Sequence, residues 1–219
     1  MAERVRVVVA DDQNISRGFF EMYVLSANRY RLLAGLRTAE EALRFADEQE
    51  IDLMILDIMM KSGIDGLSAA GVMKRRHPET KIILTTSASE TSWADKARAI
   101  GEESFWYKEY DEHSLLDIMD RTMAGESVYP GESPRVPFGK AESTDLTARE
   151  LDVLRELTAS LTNEEIADRL HISVNTVKRH LQNIIEKTGF ENRLDLAMNA
   201  KLLGLVVHDR DRMKQTANE

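Results

Sequence analysis

Five polar side chains in the first half of the chain are of types that together can handle a phosphoryl group: Asp11, Asp12, Asp57, Thr86 and Lys108. Each follows or closes a short apolar run, at 5–10, 53–57, 81–86 and 104–107. Three carboxylates brought close together repel one another, and their ionised state calls for a cation. A hard divalent ion held by carboxylate oxygens and water would be Mg²⁺. A carboxylate beside such an ion and an ammonium can attack phosphorus while the two cations neutralise the transferring oxygens. The plainer reading is that each polar residue only ends its strand. The shared position of all five favours a common site, because open parallel sheets bind ligands beyond the carboxyl ends of their strands.

The elements that must position these residues are legible as alternating periodicities. Apolar runs at 5–10, 30–34, 53–57, 81–86 and 104–107 alternate with helical patterns at 15–26, 39–50, 66–76, 92–100 and 112–124. The first, third and fourth runs are almost wholly apolar, as suits parallel strands covered on both faces. Thr38 and Glu41 form a capping-box pattern, and Pro78 and Gly101 stop the third and fourth helices. Five strand–helix units in order predict an α/β domain, a five-stranded parallel sheet with helices on both faces.

The segment 125–143 collects Gly125, Pro130, Gly131, Pro134, Pro137 and Gly139 and reads as a linker. Beyond it the strand-like runs stop. Helices are expected at 148–160, 163–170, 174–188 and 193–203, started by Thr147, Thr162, Ser173 and Asn192. The short join at His171-Ile172-Ser173 fits a helix-turn-helix. Residues 208–219 read as a polar tail.

Composition narrows the setting. With 219 residues, 42% hydrophobic and 31% charged, the chain suits one large or two small globular domains. It has no cysteine, so disulfides, a thiolate nucleophile and cysteine zinc sites are excluded. No apolar run approaches a membrane span, and the start of the chain lacks a signal-peptide core, so the protein reads as cytoplasmic and unprocessed. The net charge of −9 speaks against non-specific nucleic-acid binding. Residues 1–128 hold 23 acidic and 16 basic side chains, so most of the acidic excess lies outside the C-terminal helices. The five histidines show no paired metal-ligand spacing.

On a helical wheel, Val174, Val177, Leu181, Ile184 and Ile185 fall on one stripe of the expected helix 174–188. Asn175, Arg179, Gln182, Asn183 and Glu186 fall opposite, flanked by Lys178 and Lys187. Amide and guanidinium groups read base edges, and lysines suit phosphates. Taken alone the stripe is an ordinary amphipathic helix. The preceding short capped helix and tight turn make it a candidate DNA-reading helix. The last helix carries two apolar faces. One has Leu194, Ala197, Met198 and Leu202, and the other has Leu196, Ala200 and Leu203. A small domain has interior for only one of them.

Two resemblances follow. Residues 4–124 resemble the receiver domain of two-component response regulators in Val8-Val9-Ala10-Asp11-Asp12, Leu56-Asp57-Ile58, Met60, Asp65-Gly66, Thr86 and Lys108. Residues 144–207 resemble the LuxR-type helix-turn-helix domain in Leu146-Thr147, Arg149-Glu150, Asn163-Glu164-Glu165-Ile166-Ala167, Thr176-Val177-Lys178, His180 and Asn192-Arg193. Together they are similar to the NarL/FixJ family of regulators, with a flavodoxin-like receiver and an all-α four-helix DNA-binding domain.

The receiver resemblance implies Asp57 as phosphoacceptor and Mg²⁺ held by Asp11, Asp12, Asp57 and the Met59 carbonyl. It also implies Thr86 and Lys108 on the phosphoryl group, with Thr86 and Phe105 as the switch pair. The second resemblance implies Lys178, Arg179 and Gln182 in the major groove, Asn175, Thr176 and Lys187 near phosphates, and dimer contact through the last helix, assigned to Leu196, Ala200 and Leu203. The implied partners are a cognate histidine kinase, double-stranded promoter DNA and a second copy of the chain, RNA polymerase being a further partner such a regulator could contact. The implied function is a phosphorylation-gated transcription factor rather than an enzyme; the receiver would support only its own Mg²⁺-dependent phosphorylation and dephosphorylation. Four departures from the family patterns stand out. Lys61 follows Met60 where proline is usual, the path from there to Asp65-Gly66 is one residue longer than usual, Glu109 replaces the proline after Lys108, and Ser160 stands where glycine is common. The altered loop leaves open a DNA-binding regulator indifferent to phosphorylation. A third reading makes the helices a protein-interaction module.

Overall fold

In the computed structural model, residues 3–60, 63–87, 92–108, 114–131 and 134–206 are described. The positions of Lys61, Glu109, His113, His208 and the expected tail lie outside them. The chain forms two compact units, divided near residue 131.

The first unit alternates β1 (Val5–Ala10), α1 (Asn14–Ser26), β2 (Tyr30–Leu36), α2 (Ala39–Glu48), β3 (Leu53–Asp57), α3 (Gly66–Arg76), β4 (Lys81–Thr86), α4 (Ser92–Ala99), β5 (Ser104–Tyr107) and α5 (Leu115–Met123). All sheet pairings are parallel, in the order β2-β1-β3-β4-β5. Every residue of β3 is buried, which explains its uninterrupted apolar sequence. Val7, Val9, Leu53, Ile55, Ile83 and Trp106 pack one sheet face on Phe20, Val24, Ile118 and Met119. The chain order reverses around β1 and β3, so a crevice opens where Asp11 and Asp57 stand.

The helices start where local capping dictates. Thr38, Asp65 and Ser114 each accept a backbone N–H of the first turn of α2, α3 and α5. The described part of α5 begins at Leu115, later than the expected 112.

The second unit holds α6 (Ala148–Thr158), α7 (Asn163–Leu170), α8 (Val174–Thr188) and α9 (Arg193–Leu202), preceded by a small hairpin, β6 (Pro137–Phe138) with β7 (Ala141–Glu142). Its core joins Leu154, Ile166, Val177, Leu181, Ile184 and Leu196. Two left-handed residues turn the chain, Ser160 (φ 62°) before α7 and His171 (φ 52°) after it. The first explains why glycine suits position 160, and serine adopts the same backbone here.

The hairpin was not expected, because two-residue strands carry no periodicity. Gly139 in its turn has φ 67°, and a Cβ there would stand 2.1 Å from the Thr188 carbonyl oxygen. Phe138 is fully buried in the helical core, and Ser143 Oγ donates to the Pro134 carbonyl (2.8 Å) and accepts from Val136 N (3.0 Å). The expected linker 125–143 is therefore engaged at both ends. Its start also attaches to the first unit, where Phe105 N donates to the Val128 carbonyl (2.9 Å).

Two further expectations need correction. Leu196 and Ala200 are 0% exposed, so they close the domain's own core and cannot form a dimer face. The apolar surface left open on α9 is Leu194, Met198 (62% exposed) and Leu202 (83%), with Leu203 at its margin. The choice between the two faces depended on how α9 docks on α6, which its own sequence does not encode.

Lys187 is the other correction. Its Nζ donates to Glu150 Oε2 (2.7 Å) and to the Asp145 carbonyl (3.0 Å), so the ammonium of this exposed residue is engaged at the start of α6. The same Glu150 oxygen accepts from Thr147 N (2.8 Å) and Oγ1 (2.9 Å), completing a capping box. Burial raises the Glu150 carboxyl pKa, but Lys187 and Thr147 outweigh it and hold it below the usual range. The stability it contributes is present above the ordinary carboxylate pKa and is lost as pH falls through the lowered one. Lys187→Met should therefore destabilise this unit by about 1–2 kcal/mol, seen as a lower urea midpoint in far-UV circular dichroism at pH 7, with a smaller difference from wild type in acid.

Candidate functional site: phosphoacceptor cluster and helix-turn-helix

The ends of β1, β3 and β5 bring together what their sequence positions predicted. Asp11 and Asp57 are buried, Asp12 is half-buried, and one carboxylate oxygen from each lies within 4.8 Å of the others. Lys108 Nζ reaches Asp11 Oδ2 at 2.6 Å and Asp57 Oδ1 at 2.8 Å. One ammonium thus bridges two of the three carboxylates.

The three acids are not equivalent. Asp11 accepts from three donors: Gln13 N at 2.8 Å on Oδ1, and Ser16 Oγ at 2.5 Å together with Lys108 on Oδ2. Arg17 Nη1 also donates to the Asp11 carbonyl (2.8 Å). Asp57 Oδ2 is buried and accepts no hydrogen bond among the described residues. Burial is the main cause that pushes the Asp57 carboxyl up to about 6; Lys108 opposes it, and Asp11 and Asp12 reinforce it. Burial lowers the Lys108 ammonium pKa, but the two carboxylates outweigh that and raise it. A buried carboxylate oxygen without a donor, beside two further carboxylates, is the donor set a hard divalent cation takes.

Thr86 is fully buried at the end of β4, and its carbonyl accepts from Lys108 N (2.9 Å), which fixes the lysine's backbone beside the cluster. Gly66 explains the Asp65-Gly66 pair. A Cβ there would come within 2.0 Å of the Asp57 carbonyl oxygen, so only glycine lets α3 start against the end of β3.

Sequence reasoning missed four contributors. Ser16 and Arg17 lie on the first turn of α1, close behind the acidic pair, where their spacing could have flagged them. Phe20 covers Lys108, with Nζ 5.3 Å from its ring centroid. Glu40 of α2 accepts from Ile64 N (2.7 Å) and so anchors the lengthened loop after Asp57. Neither of the last two carries a sequence signal. The expectations for Lys61 and Glu109 lie outside the described residues.

Phe105 is fully buried, edge-on to Tyr107 (centroids 4.8 Å apart) and offset-stacked on Tyr129. The aromatic member of the implied switch pair is therefore inside the receiver in this structure.

The family comparison agrees with this arrangement. The model of the response regulator receiver domain matches residues 7–120, more than half of the chain. This protein belongs to the response regulator receiver family. The model of bacterial regulatory proteins of the luxR family matches residues 144–200. The response regulator is thus a receiver joined to a LuxR-type DNA-binding domain, an architecture of transcription regulators. It is 28% identical over 201 residues to the response regulator protein VraR of Staphylococcus aureus, across 90% of this chain and 96% of that one. Among solved structures, it shares the fold of RcsB from Salmonella enterica serovar Typhimurium bound to a promoter in the presence of phosphomimetic BeF3⁻. The TM-score is 0.62 at 18% identity, over 93% of this chain and 100% of that one. A structure of two RcsB dimers bound to two parallel DNAs gives a TM-score of 0.61 at 18% identity, over 91% and 98%.

In the helical unit, α7, the His171 turn and α8 form the helix-turn-helix. Val177, Leu181 and Ile184 face the core, while Asn175, Lys178, Arg179 and Gln182 are exposed and Thr176 is half-exposed. Gln182 Nε2 donates to Glu186 Oε1 (2.9 Å), so the acidic residue holds an outward amide in place. Ser173 caps α8 by accepting from Thr176 N (3.1 Å).

Among the described residues, no helix is long and apolar enough to cross a membrane. The raised Asp57 carboxyl yields a stability prediction. The native state keeps a proton that the unfolded state loses, so metal-free stability falls as pH rises from about 4 through about 6. Asp57→Asn should stabilise the metal-free protein at pH 7 by about 1–2 kcal/mol. In thermal unfolding followed across pH, that advantage should shrink toward pH 4.

Proposed function

We propose that a histidine kinase phosphorylates Asp57 and that the phosphorylated protein binds a two-half-site operator as a dimer. The observation that carries this reading is the buried Asp57 carboxylate with one oxygen unpartnered and the other held by Lys108. Asp57 Oδ2 would attack phosphorus as the donor's P–N or P–O bond breaks, and the leaving group would take its electron pair. Lys108 would follow the transferred oxygens, and Thr86 Oγ1 would donate to one of them. Mg²⁺ fits the donor set of Asp11, Asp12, Asp57 and the Met59 carbonyl, and when bound it would neutralise the phosphoryl oxygens. Phe20 and the buried strand ends limit access of water to the site. Beside it, Ile15, Phe19, Met22 and Leu25 form an exposed apolar stripe on α1, a surface on which a phosphodonor protein can seat.

For DNA, Lys178, Arg179 and Gln182 are assigned to base edges, and Asn175 and Thr176 to phosphates. Lys187 is withdrawn from the phosphate set because its ammonium serves α6. Dimer contact is assigned to Leu194, Met198 and Leu202. RNA polymerase would be met only at the promoter.

Two outcomes follow. A small phosphoryl donor with Mg²⁺ should raise operator affinity of the wild type at least about tenfold, and Asp57→Asn should abolish the stimulation in a titration at fixed salt. Equal stimulation of both proteins would refute gating through Asp57. Met198→Glu should shift sedimentation of the phosphorylated protein toward monomer and weaken binding to the two-half-site operator far more than to one half-site.

A further inference from the structure

The segment leaving α5 turns back onto the receiver instead of departing from it. Glu126 N donates to the Arg121 carbonyl (3.0 Å), and Val128, buried, forms a parallel bridge with Ser104 at the free edge of β5. Phe105 N donates to the Val128 carbonyl (2.9 Å), and Val128 N donates to Ser104 Oγ (3.2 Å). Tyr129 follows. Its ring stacks on Phe105 with centroids 6.4 Å apart and planes 12° apart. The Arg98 guanidinium lies 4.4 Å from the Tyr129 centroid, and the Tyr129 hydroxyl donates to the Glu102 carbonyl (2.9 Å). Every one of these partners belongs to the receiver.

We propose that Tyr129 is a latch that ties the start of the interdomain linker to the β5 edge through Phe105, so that the rotamer of Phe105 and the free length of the linker change together. The trigger rests on the phosphorylation reading above; the latch itself does not. Phe105 is enclosed between Tyr107 and Tyr129, so it cannot leave its rotamer without losing the Tyr129 stack. A phosphoryl group on Asp57 that draws Thr86 toward it would open space on the far side of Phe105, and the ring's shift would uncover Tyr129. With the stack gone, the bridge at Val128 rests on its two hydrogen bonds at an open sheet edge and on burial of the Val128 side chain. Releasing Glu126–Tyr129 would lengthen the tether by four residues, about 13–14 Å when extended. That changes the range over which the DNA-binding domain can pair with a second copy. Tyr129 acts here as a positioning residue.

The test uses the full chain and amide hydrogen exchange. Without any donor, Tyr129→Ala should raise exchange at the Val128 and Phe105 amides about tenfold, while Tyr129→Phe, which keeps the ring, should change it much less. Amides of β3 and α8 serve as controls and should not move. Wild-type exchange in Tyr129→Ala would overturn the latch. Acetyl phosphate with Mg²⁺ should then produce the same rise in wild type, but not in Asp57→Asn. Unchanged Val128 protection in protein whose mass shows one added phosphoryl group would also overturn it. If no phosphoryl group is gained, the gating reading fails, and the donor-free comparison decides the latch alone.

Discussion

An excess of buried negative charge governs the receiver. Asp11 and Asp57 converge on one ammonium, that of Lys108, at buried strand ends, with the Asp12 carboxylate beside them. Water cannot screen these charges, so the site is stable only if protons or cations compensate them. Much of the surrounding structure bears on this constraint. Gln13, Ser16 and Lys108 donate to Asp11, Gly66 lets α3 close on Asp57, and Phe20 shields the lysine. The remaining imbalance falls on Asp57, whose carboxyl is pushed up to about 6, chiefly by burial. A group poised in this way responds to a cation or a phosphoryl group, and the cluster sacrifices local stability to remain responsive.

The second unit is built on the opposite principle. Its helices are fastened by reciprocal caps, with Thr147–Glu150 and Thr162–Glu165 both forming capping boxes. The buried Glu150 is neutralised by Lys187. Polar groups inside this unit are satisfied locally, which leaves α8 rigid and its outward side chains available. A DNA-reading surface requires such rigidity, because ordering side chains on binding subtracts from affinity.

Between these two principles stands the segment after α5. It is not a free tether, because Val128 is buried in the receiver core. Val128 extends the sheet by a single bridge, and Tyr129 joins the aromatic group around Phe105. Because it lies at an open edge, this segment can be altered without loss of the sheet behind it.

Much was legible in the sequence because it is written in local patterns. Alternating periodicities gave five parallel strands and most helix limits; caps such as Thr38, Thr147 and Ser173 marked helix starts. The five site residues were recognisable because a parallel sheet places strand ends along one edge whatever its details, so Asp11, Asp57 and Lys108 had to meet. What tertiary structure alone decided concerns docking between elements distant in sequence. Which face of α9 is buried depended on α6, so Leu196 and Ala200 went inside and Met198 and Leu202 outside. Lys187 looked like a phosphate contact until packing set it beside Glu150, 37 residues away. Phe20 over Lys108, Glu40 under the lengthened loop, and Tyr129 on Phe105 likewise arise from packing across the fold. Periodicity reports which face a residue takes on its own element; only the assembled fold determines what lies opposite that face.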